Sequence, residues 1–227
     1  MYVVSSKKKL EERLEKIKES VIDNYVNNGV VTNRNDLYFK EQNKDGIIYY
    51  SLYSQKEIYD GIYKVGSVDE IVVYSGENNN VYSYAIISNK DLAYGKQLEI
   101  EVNNIDLVTG NSLTSQELLN RFGITNSSFS ETLKNFHLSY LGSNTIDNLR
   151  NWAKEYNDPD TMQDVENQIS LIRSKSDEVK VKTYSPDNYN IFINNKEGLS
   201  VFLNNEENVC IIASYCEDST ISKVVEL

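Results

Sequence analysis

The feature that most constrains the fold is a run of regularly spaced apolar residues near the start of the chain. Across residues 7–27 the apolar side chains are separated by three or four positions, which is the period of an α-helix with one buried stripe. The stripe consists of Leu10, Leu14, Ile17, Val21 and Tyr25. Most of the other positions are charged or polar, as on a solvated helix surface. Such a helix needs an apolar surface to cover its stripe, so the rest of the chain has to supply one.

The region that follows, residues 37–103, changes to short β-rich runs. The clearest predicted strands are residues 47–53, 71–75, 81–88 and 97–103. Between the second and third of these lie Gly76, Glu77, Asn78, Asn79 and Asn80, which predict a hairpin loop.

Helical signals return after Gly110. Thr114 and Glu117 fit a capping box at the start of a short helix, and residues 146–156 predict a second helix. Asp158 and Pro159 predict the start of a third helix, which the pattern ends near residue 177. Five further strands are then predicted at residues 179–184, 189–193, 199–203, 209–215 and 221–225. Their short Asn-rich connections indicate an antiparallel meander.

This order of elements predicts the α+β class. A long N-terminal amphipathic helix is expected to pack on an antiparallel sheet, followed by a helical segment and a second antiparallel meander. The predicted domains are residues 1–110, holding the first helix and sheet, and residues 111–227, holding the helical segment and the C-terminal sheet.

The charge of the chain narrows the classes of partner. With 23 Lys and Arg against 34 Asp and Glu, the formal net charge is -11, which repels phosphate backbones and anionic membrane surfaces. Nucleic acid is therefore not an expected partner. No apolar run approaches the roughly 18 residues that span a bilayer. The expected partners are other protein subunits or a basic protein.

The chain carries no local motif for catalysis, cofactor binding or metal binding, and no catalytic, cofactor or metal residue is predicted. His137 is the single histidine and lies between apolar neighbours, which favours packing over catalysis. Cys210 and Cys216 fall in one extended run, residues 209–216, where they are too far apart for a disulfide, and they are expected to be unpaired core residues. Catalysis by a pair of carboxylates leaves no sequence signature and stays open.

The acidic residues Asp158, Asp160 and Asp164 allow two interpretations. Their spacing resembles a calcium loop, but Pro159 and the missing Gly argue against an EF-hand. Helix capping by Asp158 and the preference for carboxylates in a first helical turn explain the same residues, so we favour the structural interpretation.

Residues 16–31 read Lys-Ile-Lys-Glu-Ser-Val-Ile-Asp-Asn-Tyr-Val-Asn-Asn-Gly-Val-Val. An amphipathic helix that ends in an aromatic residue, polar residues and Gly before an antiparallel sheet resembles the soluble part of type IV pilins and pseudopilins. The resemblance covers roughly the first hundred residues. It implies that the helix stripe from Leu10 to Tyr25 anchors the sheet and that exposed loops carry surface interactions. The loop from Gly76 to Asn80 is therefore the candidate interaction loop. It also implies an apolar membrane-spanning segment before Met1, which this sequence does not contain.

Two main functions follow as expectations. The first is a non-enzymatic bacterial surface protein for structure or adhesion, resembling a minor type IV pilin, located at the cell surface or outside the cell if an apolar segment precedes Met1. The alternative is a soluble cytoplasmic binding protein, such as a phage-encoded or immunity-type factor, that uses an acidic surface to bind a basic partner. A carboxylate enzyme is the third class.

Overall fold

The computed structural model describes residues 2–27, 31–54, 59–60, 63–64, 70–92, 95–156, 158–194, 198–203 and 223–227. The helices are α1 Tyr2–Asn27, α2 Ser115–Arg121, α3 Asn126–Tyr140, α4 Ser143–Tyr156 and α5 Pro159–Val181. The strands are β1 Leu37–Lys44, β2 Ile47–Ser54, β3 Tyr59–Asp60, β4 Tyr63–Lys64, β5 Glu70–Asn78, β6 Val81–Leu92, β7 Gly95–Asp106, β8 Asn190–Ile193, β9 Leu199–Leu203 and β10 Lys223–Glu226. The predicted α+β class, with a long N-terminal helix, an antiparallel sheet, helices and a second small sheet, is confirmed.

Helix α1 begins five residues before the predicted start and runs for 26 residues. Leu14, Ile17, Val21 and Tyr25 of the predicted stripe are buried, and Leu10 is partly buried against the same core. The stripe continues toward the N-terminus through Ser6, which is buried and donates its hydroxyl hydrogen to the carbonyl of Tyr2 at 2.8 Å. This local bond satisfies the hydroxyl, so a serine can occupy a buried position of the helix.

The main sheet has five antiparallel strands in the order β1-β2-β5-β6-β7. Successive side chains along each strand lie on opposite faces of the sheet, and one face packs against α1. The buried sheet residues of this core are Leu37, Tyr50, Leu52, Ile71, Val73, Tyr82, Tyr84, Ile86 and Ile105. The ion pair between Arg13 of α1 and Glu101 of β7, at 2.6 Å, fixes the helix at the far edge of the sheet.

Two tight turns set the register of this sheet. Asp45 and Gly46 join β1 to β2, and Asn79 and Asn80 join β5 to β6; all four residues have positive φ. That geometry belongs to the two-residue turns that match the twist of paired strands, and Asp, Asn and Gly tolerate it best. The connection predicted as a five-residue loop is therefore shorter, because Gly76, Glu77 and Asn78 belong to β5.

The face of the sheet opposite α1 receives β8 through a buried polar network. Ser83 of β6 donates its hydroxyl hydrogen to Asn104 Oδ1 at 2.6 Å and accepts the backbone N–H of Ile193 at 3.0 Å. Asn104 of β7 donates its side-chain amide to the carbonyl of Ile191 at 2.8 Å. Gly76 leaves room for the same strand, because a Cβ there would lie 2.6 Å from the carbonyl oxygen of Asn194. Two polar side chains thus attach a strand that is distant in sequence.

Changing Asn104 to Leu is expected to lower the free energy of unfolding by about 2–4 kcal/mol, because it leaves a buried hydroxyl and a buried carbonyl without their partner. A double-mutant cycle with Ser83→Ala checks this by urea denaturation. The two losses should be clearly non-additive, since both side chains belong to one network. Additive effects would show that the two side chains act independently.

The helical region after Gly110 differs from prediction in one missed element. The capping box of α2 is confirmed, because Glu117 accepts from the backbone and hydroxyl of Thr114 and its own N–H bonds back to that hydroxyl. Helix α3 was not predicted. Its cap pairs Thr125 with Ser128 instead of an acidic residue. Its buried stripe is Phe129, Leu133 and His137, spaced by four, with Ser130 buried beside it.

Helix α5 is longer than predicted and continues through Val181. The start at Asp158 and Pro159 is confirmed, with Asp158 accepting the N–H of Thr161 at 2.9 Å. The predicted strand at residues 179–184 is wrong. Val179 lies seven residues after Ile172, two helical turns along the same buried stripe, and no Gly or Pro interrupts the chain before Pro186.

The second unit of the fold is built around a helical core. The chain divides into one unit of Met1–Leu118 with Asn190–Ser200 and another of Leu119–Tyr189 with Val201–Leu227. Compared with the predicted boundary after residue 110, the first unit extends further and also holds β8. The core of α4 and α5 contains Leu141, Leu149, Ala153, Val165, Ile169, Ile172 and Val179.

The C-terminal sheet has the order β10-β9-β8, and strands β3 and β4 form a separate two-stranded pair. The predicted strand at residues 209–215 lies outside the described residues, as do Cys210 and Cys216. So do the connections at residues 195–197 and 204–208.

Candidate protein-binding surface

The candidate residues from the sequence lie in separate places. The helix stripe from Leu10 to Tyr25 faces the sheet core. Of the candidate interaction loop, Asn79 and Asn80 form the exposed turn, while Gly76 lies against Asn194. The structure therefore reduces that loop to a two-residue tip and does not bring it together with the stripe as one site.

The single histidine has a structural environment. His137 is 3% exposed and its ring stacks on Tyr184, with centroids 5.4 Å apart and an angle of 15° between the ring planes. The amino group of Lys182 lies 4.7 Å from the Tyr184 ring centre, and the Tyr184 backbone N–H bonds to Ser130 at 3.0 Å. These contacts attach the segment after α5 to α3. We assign His137 to packing within this unit.

The acidic residues at the start of α5 act as a helix cap. Hydrogen bonds from the backbone and side chain of Thr161 hold the pKa of Asp158 below its ordinary value. Asp160 and Asp164 are exposed on the same helix. Within the described ranges, no group of three or more His, Cys, Asp or Glu side chains is arranged to hold a metal ion.

The most distinctive surface lies on β1 and β2, on the sheet face opposite α1. It is formed by Tyr38, Lys40, Lys44, Tyr49 and Tyr53, which we call the Tyr–Lys face. The register places Tyr38 directly opposite Tyr53, and their rings stack with centroids 6.0 Å apart. The Lys40 amino group lies 4.0 Å from the Tyr53 ring centre, and that of Lys44 lies 5.5 Å from Tyr49.

These contacts define what the Tyr–Lys face can do chemically. Tyr38, Lys40 and Lys44 are exposed, and Tyr49 and Tyr53 are half-buried. The rings hold the lysine side chains in place by cation–π attraction, each contact contributing about 0.5–1 kcal/mol at an exposed position. The amino groups still carry N–H donors and positive charge. Tyr is enriched at protein–protein interfaces, where it supplies contact area, whereas Lys is depleted from them. The two lysines would contribute charge complementarity toward an oppositely charged partner.

The opposite face of the same hairpin is occupied. Lys18 of α1 lies over the Tyr50 ring, 3.9 Å from its centre, and bonds to Glu15 at 3.0 Å. Burial, and then a hydrogen bond with Glu41, raise the pKa of Tyr50 to about 12. Tyr50 and Glu41 therefore belong to the contact between helix and sheet, and they leave the Tyr–Lys face as the exposed side.

The raised pKa of Tyr50 predicts how stability changes in alkali. An unfolded Tyr loses its proton near pH 10, while folded Tyr50 keeps it until about pH 12. The unfolded state then binds fewer protons, so the free energy of unfolding falls as pH rises between these values. Tyr50→Phe should reduce this fall between pH 9 and 11, measured by urea denaturation. An unchanged slope would contradict the prediction. Some pH dependence should remain in the Tyr50→Phe variant, because burial also raises the pKa values of Tyr74, Tyr82 and Tyr84.

Comparison with known proteins identifies no relative. No family model matches the sequence, no curated protein matches it, and no solved structure matches the fold. Of the helices among the described residues, none combines the length and hydrophobicity needed to cross a membrane.

The Tyr–Lys face was not predicted from the sequence. The missing step was the Asp45-Gly46 pair, a strong hairpin signal that fixes which residues of β1 oppose which residues of β2. With that register, Tyr38 and Lys40 fall on the same face as Tyr49 and Tyr53.

Proposed function

We propose that this chain is a non-enzymatic protein of a bacterial surface assembly, built like the soluble part of a minor type IV pilin. One observation carries the proposal: residues 2–27 form a helix whose apolar stripe lies on a five-stranded antiparallel sheet. In the family that the sequence resembles, such a helix joins the displayed sheet to the segment that assembles.

The packing of α1 suits this role physically. A 26-residue helix is about 39 Å long, at 1.5 Å per residue. Its contacts with the first unit extend from Tyr2, against Gly110, to Tyr25 in the sheet core. A force applied at the start of the helix would therefore be shared by contacts along its whole length. In this proposal the exposed surface of the sheet, rather than a catalytic cleft, carries the interactions.

Cell fractionation with an antibody to this chain tests the proposal. Surface material is sheared from the source cells, and the native protein is purified from each fraction for intact mass measurement. We expect the protein in the sheared surface fraction, with additional apolar mass before Met1. Recovery in the cytosol at the 26.0 kDa of this chain would overturn the proposal.

The net charge of -11 favours a second candidate, a cytoplasmic binding protein for a basic partner. Exposed acidic residues on α5, including Asp160, Asp164 and Asp177, would contribute to such a surface. Cytosolic recovery, together with a basic partner whose binding weakens as salt rises, would support this candidate.

A further inference from the structure

Strand β1 is an open edge of the main sheet within the described part of the chain. It pairs with β2 on one side, and no described strand pairs with it on the other. In a hairpin with a two-residue turn, the flanking residues Lys44 and Ile47 exchange both hydrogen bonds, and every second pair follows. The backbone groups of Phe39, Glu41 and Asn43 consequently point toward the open edge.

The charge on the outward side of this hairpin contrasts with the charge of the whole chain. The outward positions of β1 and β2, from Tyr38 to Lys44 and from Ile47 to Tyr53, contain no Asp or Glu. Lys40 and Lys44 take part in none of the ion pairs formed among the described residues. The edge therefore offers backbone donors and acceptors beside two unneutralised positive charges, on a chain of net charge -11.

We propose that the open edge of β1 and the Tyr–Lys face bind an acidic, extended segment of a partner protein as an added strand. Backbone hydrogen bonds to β1 would contribute affinity for any extended segment. The side chains of the Tyr–Lys face would make the binding selective for an acidic one. Directly opposite positions on adjacent strands lie about 5 Å apart, so carboxylates spaced four residues apart can reach Lys40 and Lys44.

A second copy of this chain is a poorer occupant of the same edge. Two β1 strands paired about a two-fold axis would bring the Lys40 and Lys44 rows of both copies onto the same face. Like charges on adjacent strands are destabilising, and Lys on an edge strand is a common device against self-pairing. The same lysines attract a carboxylate-bearing strand, so charge decides between the two occupants.

This proposal goes beyond the proposed function, because it names a binding surface and the chemistry of its partner. The β1 edge could bind such a segment in a surface protein or in a cytoplasmic one. The fractionation experiment tests the location and the binding experiment tests the edge, so either can fail without the other.

The test uses a ten-residue peptide in which Glu alternates with Val, and a matched peptide with Lys in place of Glu. Binding to the full chain is followed by fluorescence anisotropy at low salt. We expect the acidic peptide to bind and the basic peptide not to bind. In the double variant Lys40→Glu/Lys44→Glu, binding of the acidic peptide should weaken by about tenfold or more.

Two controls keep this result interpretable. The variant Lys9→Glu/Lys16→Glu makes the same change of charge on exposed positions of α1 and should bind the acidic peptide within about twofold of the wild type. The Lys40→Glu/Lys44→Glu variant should gain binding of the basic peptide, which a misfolded protein would not do. Equal weakening by both double variants would show a general charge effect and overturn the proposal.

Amide hydrogen exchange measured by NMR separates an added strand from a ligand that only covers the face. The N–H groups of Phe39, Glu41 and Asn43 should exchange more slowly by at least about tenfold when the acidic peptide is bound. Changes at the Tyr–Lys side chains without protection of these three amides would contradict strand addition. Binding of a uronic-acid oligosaccharide in place of the peptide would likewise assign the face to a different ligand class.

Discussion

Replacing Val21 by Asp is expected to lower the free energy of unfolding by about 4 kcal/mol or more, the largest effect that we predict in the first unit. Val21 is 1% exposed and lies in the core between α1 and the main sheet. An ionised carboxylate there would be removed from water with no cation on the stripe to neutralise it. Because a domain is stable by only about 5–15 kcal/mol, we expect α1 to separate from the sheet in much of the population.

The same substitution at Val4 is the matched control. Val4 lies on α1 and is 75% exposed, so Val4→Asp adds the same charge to the same helix without burying it. Near the N-terminus of a helix the added carboxylate is slightly favourable. Urea denaturation followed by far-UV circular dichroism should show a midpoint near that of the wild type for Val4→Asp and a much lower one for Val21→Asp. Similar midpoints would mean that the helix does not depend on its stripe.

This pair of variants also bears on the proposed function. If α1 transmits force to the sheet, the Val21→Asp protein should lose its association with surface material, while Val4→Asp should keep the fold that surface display requires. Loss of association in both would place the defect in the exposed part of the helix rather than in its packing.

The features that sequence alone predicted are those with a strong local period. The helix stripe repeats over five positions from Leu10 to Tyr25, and the alternation of Leu98, Ile100 and Val102 with Glu99 and Glu101 marks a strand with two different faces. Asp158 followed by Pro159 is typical of a helix start, with Asp at the N-cap and Pro at the first helical position. Each of these signals lies within one element, so no knowledge of the partner element was needed.

The parts that failed depend on contacts between distant residues or on weaker local signals. Helix α3 has a buried His137 where a simple pattern expects an apolar residue, and its cap uses Ser128 rather than Glu or Gln. The role of Ser83 and Asn104 appears only when β8, more than eighty residues later in the chain, supplies Ile191 and Ile193. A polar residue in a predicted strand is expected to face solvent unless a buried hydrogen-bond partner for it is known.

The candidate surface likewise depends on strand pairing, which composition alone does not specify. Tyr38 and Tyr53 are separated by 15 positions in the sequence, yet they stack because β1 and β2 pair in one register. A shift of one residue would move every side chain of β1 to the other face. The register therefore determines which tyrosines and lysines share this surface.

The second large effect concerns the end of α5, where the predicted strand and the observed helix give opposite expectations. Val179 and Val181 would lie on the same face of a strand, because side chains alternate with a period of two. In the helix they lie on different faces: Val179 is 4% exposed in the core with α4, and Val181 is 83% exposed. The same substitution at both positions therefore distinguishes the two conformations.

We expect Val179→Asp to lower the free energy of unfolding by about 3–5 kcal/mol, because it buries an unpaired charge in the helical core. Val181→Asp should cost less than about 1 kcal/mol, since it meets only the negative end of the helix dipole and the like charges of Asp177 and Glu178 one turn earlier. These terms are small, so the difference between the two variants reports mainly on burial. Denaturation monitored by the fluorescence of Trp152, on α4 in the same unit, measures that difference. Equal losses at the two positions would support the strand, whereas a large loss at Val179 alone requires the helix to continue to its observed end.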